Sequence, residues 1–264
     1  ARRPRRPRGV VGGGGLEPRR ARRLRPASAV EDHAPSFLDF EGLLVSEPLG
    51  PYYTRQLDVV VDELALGGMG LIPTDTQHAF VTSVSSRSGT RRIYDVKGVG
   101  EGEHKPLSLL CPDLSMACRF AEIDSLPRSW YTLLRGCLPG PYTFIMRASK
   151  QVPKIVLKHK SRRRLWQRRE VGIRVPDCAV VQHITRELDE PLLSSSADDG
   201  PTAVWSTQRD AVDFIVAGST NMANIWDEVA DEDRISSVVD LTMEYPVVRR
   251  QGLGDTTQWE ALAE

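Results

Sequence analysis

Arg55-Gln-Leu-Asp-Val-Val-Val-Asp-Glu-Leu-Ala-Leu-Gly-Gly-Met-Gly-Leu-Ile-Pro73 decides the fold of this chain. Leu57, Val60, Val61, Leu64 and Ala65 recur at the spacing of one helical face. Gly67 and Gly68 end that pattern. The run Met69 to Ile72 then reads as a short strand, closed by Pro73. A helix, a tight turn and a strand in direct succession predict a layered domain.

The pattern continues downstream. Val84 to Lys97 reads as partly helical, Gly98 to Gly102 as a loop, and Leu107 to Cys111 as an apolar strand. A helix opening at Pro112 or Asp113 carries Leu114, Met116, Ala117, Phe120 and Ala121, and another covers Ser129 to Leu134. Pro139, Gly140 and Pro141 break the chain before a strand from Tyr142 to Arg147. Val171 to Val175 and Pro191 to Ser195 read as strands around a helix from Val180 to Leu188. Ala211 to Val216 is a short apolar segment, and Ser236 to Leu241 and Pro246 to Arg250 are valine-rich strands. The fold class expected is α/β (mixed α+β), a twisted mixed sheet with helices. Two stretches read as long loops, a basic one over 158–170 and a polar, acidic one over 219–232.

Charge is unevenly distributed along the 264 residues. The formal net charge is +0, with 35 basic and 35 acidic residues. Ten arginines and only one acid, Glu17, fall in the first 25 positions, leaving 25 basic against 34 acidic residues and a charge of −9 on the body. Residues 1–35 form an Arg-rich leader too poor in apolar side chains to fold. Its composition is that of an organelle transit peptide, plastid favoured over mitochondrion. A nucleic-acid-binding arm and a low-complexity extension are the other readings, and without a transit peptide the location expected is cytoplasmic. Residues 36–56 read as a linker or extension, 57–255 as the domain and 256–264 as a C-terminal tail. No apolar run approaches the roughly 20 residues of a bilayer span, so no membrane partner is expected. Cys111, Cys118, Cys137 and Cys178 form no Cys-x-x-Cys pair and read as buried or half-buried thiols. Neither zinc nor any other protein-bound metal is expected.

The common phosphate-loop, dinucleotide and metalloprotease motifs are missing. Small hydroxyl residues and cations gather instead at strand ends: Thr74, Thr76, Lys97, Thr143, Ser194 to Ser196, Ser236, Ser237 and Arg250. Ligands of open α/β sheets sit beyond strand ends, and such groups hold phosphate or carboxylate. Each has a turn or capping explanation alone; together they suggest an anionic ligand. In the basic stretch, Arg162, Arg163, Arg164 and Trp166 suit RNA contact, the aromatic stacking on a base, or a solvated loop.

Seven segments occur in an order that resembles the YrdC-like threonylcarbamoyl-adenylate synthase family: Gly68-Met-Gly-Leu-Ile-Pro-Thr-Asp-Thr76, Lys105-Pro-Leu-Ser-Leu-Leu110, Leu138-Pro-Gly-Pro-Tyr-Thr143, Val171-Gly-Ile-Arg-Val-Pro176, Pro191-Leu-Leu-Ser-Ser-Ser-Ala197, Ser236-Ser-Val-Val-Asp240 and Val248-Arg-Arg-Gln-Gly252. The resemblance covers about Val60 to Asp255. It implies a YrdC/RibB-like three-layer fold, with helices on both faces of the sheet and a large ligand cleft. It also implies synthesis of threonylcarbamoyl-AMP from ATP, threonine and bicarbonate, with pyrophosphate released, for transfer RNA modification. ATP is then substrate, Mg²⁺ accompanies it, and tRNA-modification proteins are candidate partners. By the same resemblance Lys97 is the catalytic cation, Thr74 and Thr76 lie near the amino acid and nucleotide, and Thr143, Ser196, Ser236, Ser237 and Arg250 bind substrate or nucleotide.

Three positions depart from the family pattern. Val99 replaces the arginine of Lys-x-Arg, Asp198 the asparagine of Ser-x-Asn, and His78-Ala79-Phe80 a Tyr-Gly-Leu. With His104 to Ser115, Pro141 to Met146 and Gly252 to Asp255, they make the chain look closer to the YciO branch. Losing a guanidinium removes a bidentate anion clamp. A non-synthase protein that binds nucleotide, AMP or double-stranded RNA is therefore the alternative, and an interaction domain without a ligand is a third reading.

Overall fold

Helix α1 (Pro51–Ala65) starts on a proline, whose missing N–H has no intrahelical acceptor at that position. It buries Leu57, Val60, Val61 and Leu64, each stabilising the fold by about 1.5–3 kcal/mol. It ends in a Schellman arrangement. Gly67, at φ 88°, donates its N–H to the Leu64 carbonyl at 3.0 Å, and Gly68 donates to that of Glu63 at 2.9 Å. Only glycine adopts that φ without strain. The chain turns straight into β2 (Met69–Ile72), whose four residues are all buried.

The computed structural model describes residues 35–40, 43, 46–98, 106–161, 164–167, 169–218 and 233–262. Around β2 stand β1 (Ser36–Phe40), β3 (Ala79–Ser83), β4 (Ser108–Leu110), β5 (Tyr142–Arg147), β8 (Glu170–Arg174), β9 (Leu192–Ser196), β10 (Phe214–Gly218), β11 (Ser237–Asp240) and β12 (Val247–Arg250). They form one ten-stranded sheet in the order β1-β10-β2-β3-β9-β4-β8-β5-β11-β12. The pairs β1–β10, β10–β2, β4–β8 and β5–β11 are parallel and the others antiparallel. The mixed sheet is the architecture that the strand and helix pattern predicts.

Alternation along the strands sends neighbouring residues to opposite faces. Phe80, Leu109, Ile173, Leu193 and Phe144 face a core that takes in α2 (Arg87–Val96), α3 (Leu114–Phe120), α4 (Arg128–Cys137) and α7 (Pro201–Thr207). Val81, Leu110 and Leu192 face the other way, beneath α1 and α6 (Ala179–Leu188). These two helices cover only part of that second face. Ser108 and Ser194, two residues from Leu110 and Leu192 on β4 and β9, line an open cleft together with Gly172 of β8.

The structure corrects several boundaries. Residues 36–56 are not a linker, because β1 pairs with β10 from Ser36↔Phe214 to Phe40↔Gly218 and Phe40 is buried. Helix α1 begins four residues before the predicted start. The segment 256–264 holds α8 (Thr257–Glu260), which seats a fully buried Trp259 5.2 Å from the Phe144 ring. The basic stretch 158–170 is not a plain loop: β6 (Lys158–Ser161) and β7 (Arg164–Gln167) pair as an antiparallel hairpin after the short helix α5 (Lys154–Leu157). Cys118 is exposed, whereas Cys111 and Cys178 are buried; burial pushes both buried thiols up to about 12. Residues 1–34 of the leader, Val99, Arg162, Arg163 and the 219–232 stretch lie outside the described residues.

Candidate functional site

The open half of the second face is a cleft of about 600 Å³. Register explains its floor. Ile145 pairs with Gly172, Gly172 with Ser108 and Ser108 with Ser194, so four strands contribute one row of small or neutral side chains. A second row runs from Arg250 through Val238 to Thr143 across β12, β11 and β5. Arg174 ends β8 beside this row, and its strand partner Leu110 belongs to the helix-covered half.

Arg174 is 9% exposed. Its Nη2 donates to Asp75 Oδ1 at 2.7 Å and to Thr76 Oγ1 at 3.0 Å, while the other Asp75 oxygen accepts the Asp177 N–H at 3.1 Å. Arg174 Nε is buried with no hydrogen-bond partner. Asp75 is fully buried, so the pair holds only because its lone pairs are satisfied. Asp177 is affected in turn: burial, then the Asp75 charge, pushes its carboxyl above the ordinary range.

Arg250 differs from Arg174 in having only neutral partners. Its Nε and Nη2 donate to the Ser236 carbonyl at 3.0 and 2.9 Å, and Nη2 also reaches Ser236 Oγ at 3.1 Å. Ser236 Oγ shares a hydrogen bond with Thr143 Oγ1 at 2.8 Å. Among the described residues no carboxylate pairs with Arg250. Partial burial, then the nearby charge of Arg174, lowers the Arg250 guanidinium below its ordinary value. Two guanidiniums, only one of them paired with a carboxylate, stand here among the hydroxyls of Thr76, Thr143 and Ser236, groups suited to receive an anion.

The residues expected from sequence divide into two groups. Thr76, Thr143, Ser196, Ser236 and Arg250 all line the cleft. Thr74 is fully buried in the turn below, its Oγ1 donating to the Gln77 carbonyl and accepting the Thr76 N–H. Ser237 is turned away from the cleft, its Oγ donating to Gly254 O and accepting the Gly252 N–H, so it fixes the C-terminal loop and the expectation of a nucleotide contact is corrected. Lys97, at the end of α2, is not part of the lining. Its Nζ lies 2.5 Å from Asp198 Oδ2, with the lysine side chain 10% and the aspartate 84% exposed. Of the departures of sequence, Asp198 is thus the partner of Lys97 in this ion pair. Arg164 and Trp166 fall on β7. Sequence alone does not single out Arg174, Asp75, Ser108 or Glu170; Arg174 lies within Val171-Gly-Ile-Arg-Val-Pro176, and only the sheet register reveals that it shares a face with Ser108. Among the described residues no group of three or more His, Cys, Asp or Glu could hold a metal ion, and no helix is long and apolar enough to cross a membrane.

Comparison with known proteins agrees with this fold. The family profile Sua5/YciO/YrdC, described as telomere recombination, matches residues 62–252. YciO of Escherichia coli K12, an uncharacterized protein, is 27% identical over 209 residues, covering 76% of this chain and 91% of its own. Its crystal structure gives a TM-score of 0.66 at 24% identity, over 85% of this chain and 99% of the other. Human threonylcarbamoyl-AMP synthase is 30% identical over 146 residues, 55% of this chain and 47% of the synthase. P. abyssi Sua5 complexed with L-threonine gives a TM-score of 0.63 at 17% identity, over 82% of this chain and 57% of that one. At these identities the solved structures speak for the fold alone.

Proposed function

The chain belongs to the Sua5/YciO/YrdC family, and from that premise we propose that its cleft is a nucleotidyl-transfer site of the threonylcarbamoyl-AMP synthase type. The substrates are ATP, threonine and bicarbonate, the products threonylcarbamoyl-AMP, pyrophosphate and the water lost when bicarbonate carboxylates the threonine amine. The observation that carries this reading is the cationic end of the cleft, where Arg250 is bound only to neutral oxygens 3 Å away and faces a second guanidinium. Asp75 balances Arg174, and among the described residues no carboxylate balances Arg250, so a bound anion is the group that would neutralise it.

In this reading a carbamate oxygen of carboxylated threonine attacks the α-phosphorus, the new P–O bond forms, and the bond to pyrophosphate breaks. The protein supplies no covalent step, so orientation and charge neutralisation do the work. Arg174 and Arg250 would hold the anionic oxygens, and Thr143 and Ser236, already linked at 2.8 Å, would donate to them. Asp75 is a positioning residue that fixes Arg174 from behind. Magnesium enters as MgATP, held by phosphate oxygens.

The Lys97–Asp198 pair favours a second reading. A lysine already neutralised at 2.5 Å must leave its partner before it can reach phosphate, which supports nucleotide or RNA binding with weak or altered transfer. Incubation with MgATP, bicarbonate and threonine, following pyrophosphate, separates the two. Threonine-dependent release that falls at least ten-fold in Arg250→Ala is expected of the synthase. ATP binding without threonine-dependent release would replace it with the binding reading.

A further inference from the structure

The cleft is polar at both ends: guanidiniums stand at one, and at the other the Glu170 carboxylate, with Arg147 as its cross-strand neighbour on β5. Glu170 opens β8 four residues before Arg174 and lines the cleft with it. Residues two apart on a strand share a face, and four strand steps separate their α-carbons by about 13 Å. Among the described residues no cation pairs with the Glu170 carboxylate. One end therefore suits anions, and the other offers a carboxylate, a hydrogen-bond acceptor.

The floor between the ends is Gly172. A Cβ there would lie 2.8 Å from Ser108 Oγ and 3.3 Å from Thr143 Cγ2, so a side chain would close the passage. Bare backbone with Ile145 as its strand neighbour and Pro106 also lining the cleft suits a flat ring. A single α-amino acid, whose ammonium and carboxylate are one carbon apart, cannot reach both ends. A nucleotide can, with its phosphates among the guanidiniums and its base over Gly172.

We propose that Glu170 reads the nucleobase, accepting a hydrogen bond from an exocyclic amino group, so that the cleft selects amino-substituted bases and disfavours an edge that presents a carbonyl oxygen. This inference rests on the nucleotide reading above and adds a specificity-determining residue to it. A carbonyl edge meets the carboxylate acceptor to acceptor, which leaves both without a donor.

The test measures equilibrium binding to the full chain of ATP, of purine riboside 5′-triphosphate (ATP lacking the 6-amino group) and of pyrophosphate. The wild-type protein is expected to favour ATP over the des-amino analogue about ten-fold, the lower range for a charge-assisted hydrogen bond at an exposed acceptor. Glu170→Ala should erase the preference. Glu170→Gln, whose amide oxygen still accepts, should keep part of it. Pyrophosphate, which engages only the cationic end, should bind all three proteins alike and so reports that each is folded. Equal binding of ATP and its analogue by the wild type, or a preference that survives Glu170→Ala, overturns the role of Glu170 while leaving nucleotide binding intact. Pyrophosphate binding without binding of either triphosphate overturns the nucleotide reading itself, and the inference with it.

Discussion

One face of the sheet is two surfaces joined edge to edge. On β4 and β9 the residues Leu110 and Leu192 lie under α1 and α6 at 0% exposure, and two positions away Ser108 and Ser194 face the cleft. The strands, their register and their geometry are the same in both halves. What changes is the side chain, from a branched apolar group that needs a helix above it to a hydroxyl that tolerates water. The boundary of the helical cover is thus written into the strands two residues at a time, and the site is the part of the sheet that α1 and α6 do not reach.

The largest effect expected lies on the boundary itself. Arg174 stands between the halves, beside Leu110, and its charge is balanced by Asp75 at 2.7 Å. Asp75→Ala leaves an arginine side chain that is only 11% exposed without its carboxylate and should cost about 3–5 kcal/mol in urea unfolding. The double change Asp75→Leu with Arg174→Met removes both charges and should recover most of that loss. Failure to recover would mean that the pair stabilises the junction through more than mutual neutralisation.

Next in size is a direct comparison of the halves. Leu192→Ala opens a cavity under α6 and should cost about 2–5 kcal/mol. Ser194→Ala, on the same strand and face, loses one 3.2 Å hydrogen bond to the Ser108 carbonyl and should cost about 1 kcal/mol or less. Equal costs at the two positions would mean that the hydroxyl row is packed as tightly as the leucines, and that the division between cover and cleft is not energetic.

Sequence discloses the covered half better than the open one. The helix of α1 is legible because Leu57, Val60, Val61 and Leu64 repeat at helical spacing, and β5 because Tyr142 to Arg147 follows a Pro-Gly-Pro break. β1 is not, since Phe37-Leu-Asp-Phe40 is short and only pairing with β10 gives it a place. Trp259 is equally silent: one aromatic in a polar C-terminal stretch has no period, and only Phe144 shows where it goes. In the site, Thr76, Thr143, Ser236 and Arg250 are legible as hydroxyls and a cation at strand ends. Ser237 is indistinguishable from Ser236 until alternation turns one towards the cleft and the other towards Gly254. Lys97 looks catalytic by position, but its partner Asp198 is 101 residues away, a separation that no local pattern spans.

The smallest effect expected comes from the second carboxylate behind Arg174. Asp177 donates its backbone N–H to Asp75, but its own carboxyl is raised by burial and by the Asp75 charge. A folded-state value above the unfolded one means that the native protein binds the proton more tightly. Stability from this group is therefore fully present below the ordinary value of 3.8 and is lost as pH rises through the raised folded value. Asp177→Asn keeps the backbone donor and removes the charge. It should make the protein slightly more stable at pH 7, by less than about 1 kcal/mol because the side chain is partly solvated, with the gain vanishing as pH falls below about 3.9. Urea unfolding at both pH values checks the sign. A variant less stable at pH 7 would show that Asp177, like Asp75, supports the boundary through its charge, and the two carboxylates behind Arg174 would then act as a unit.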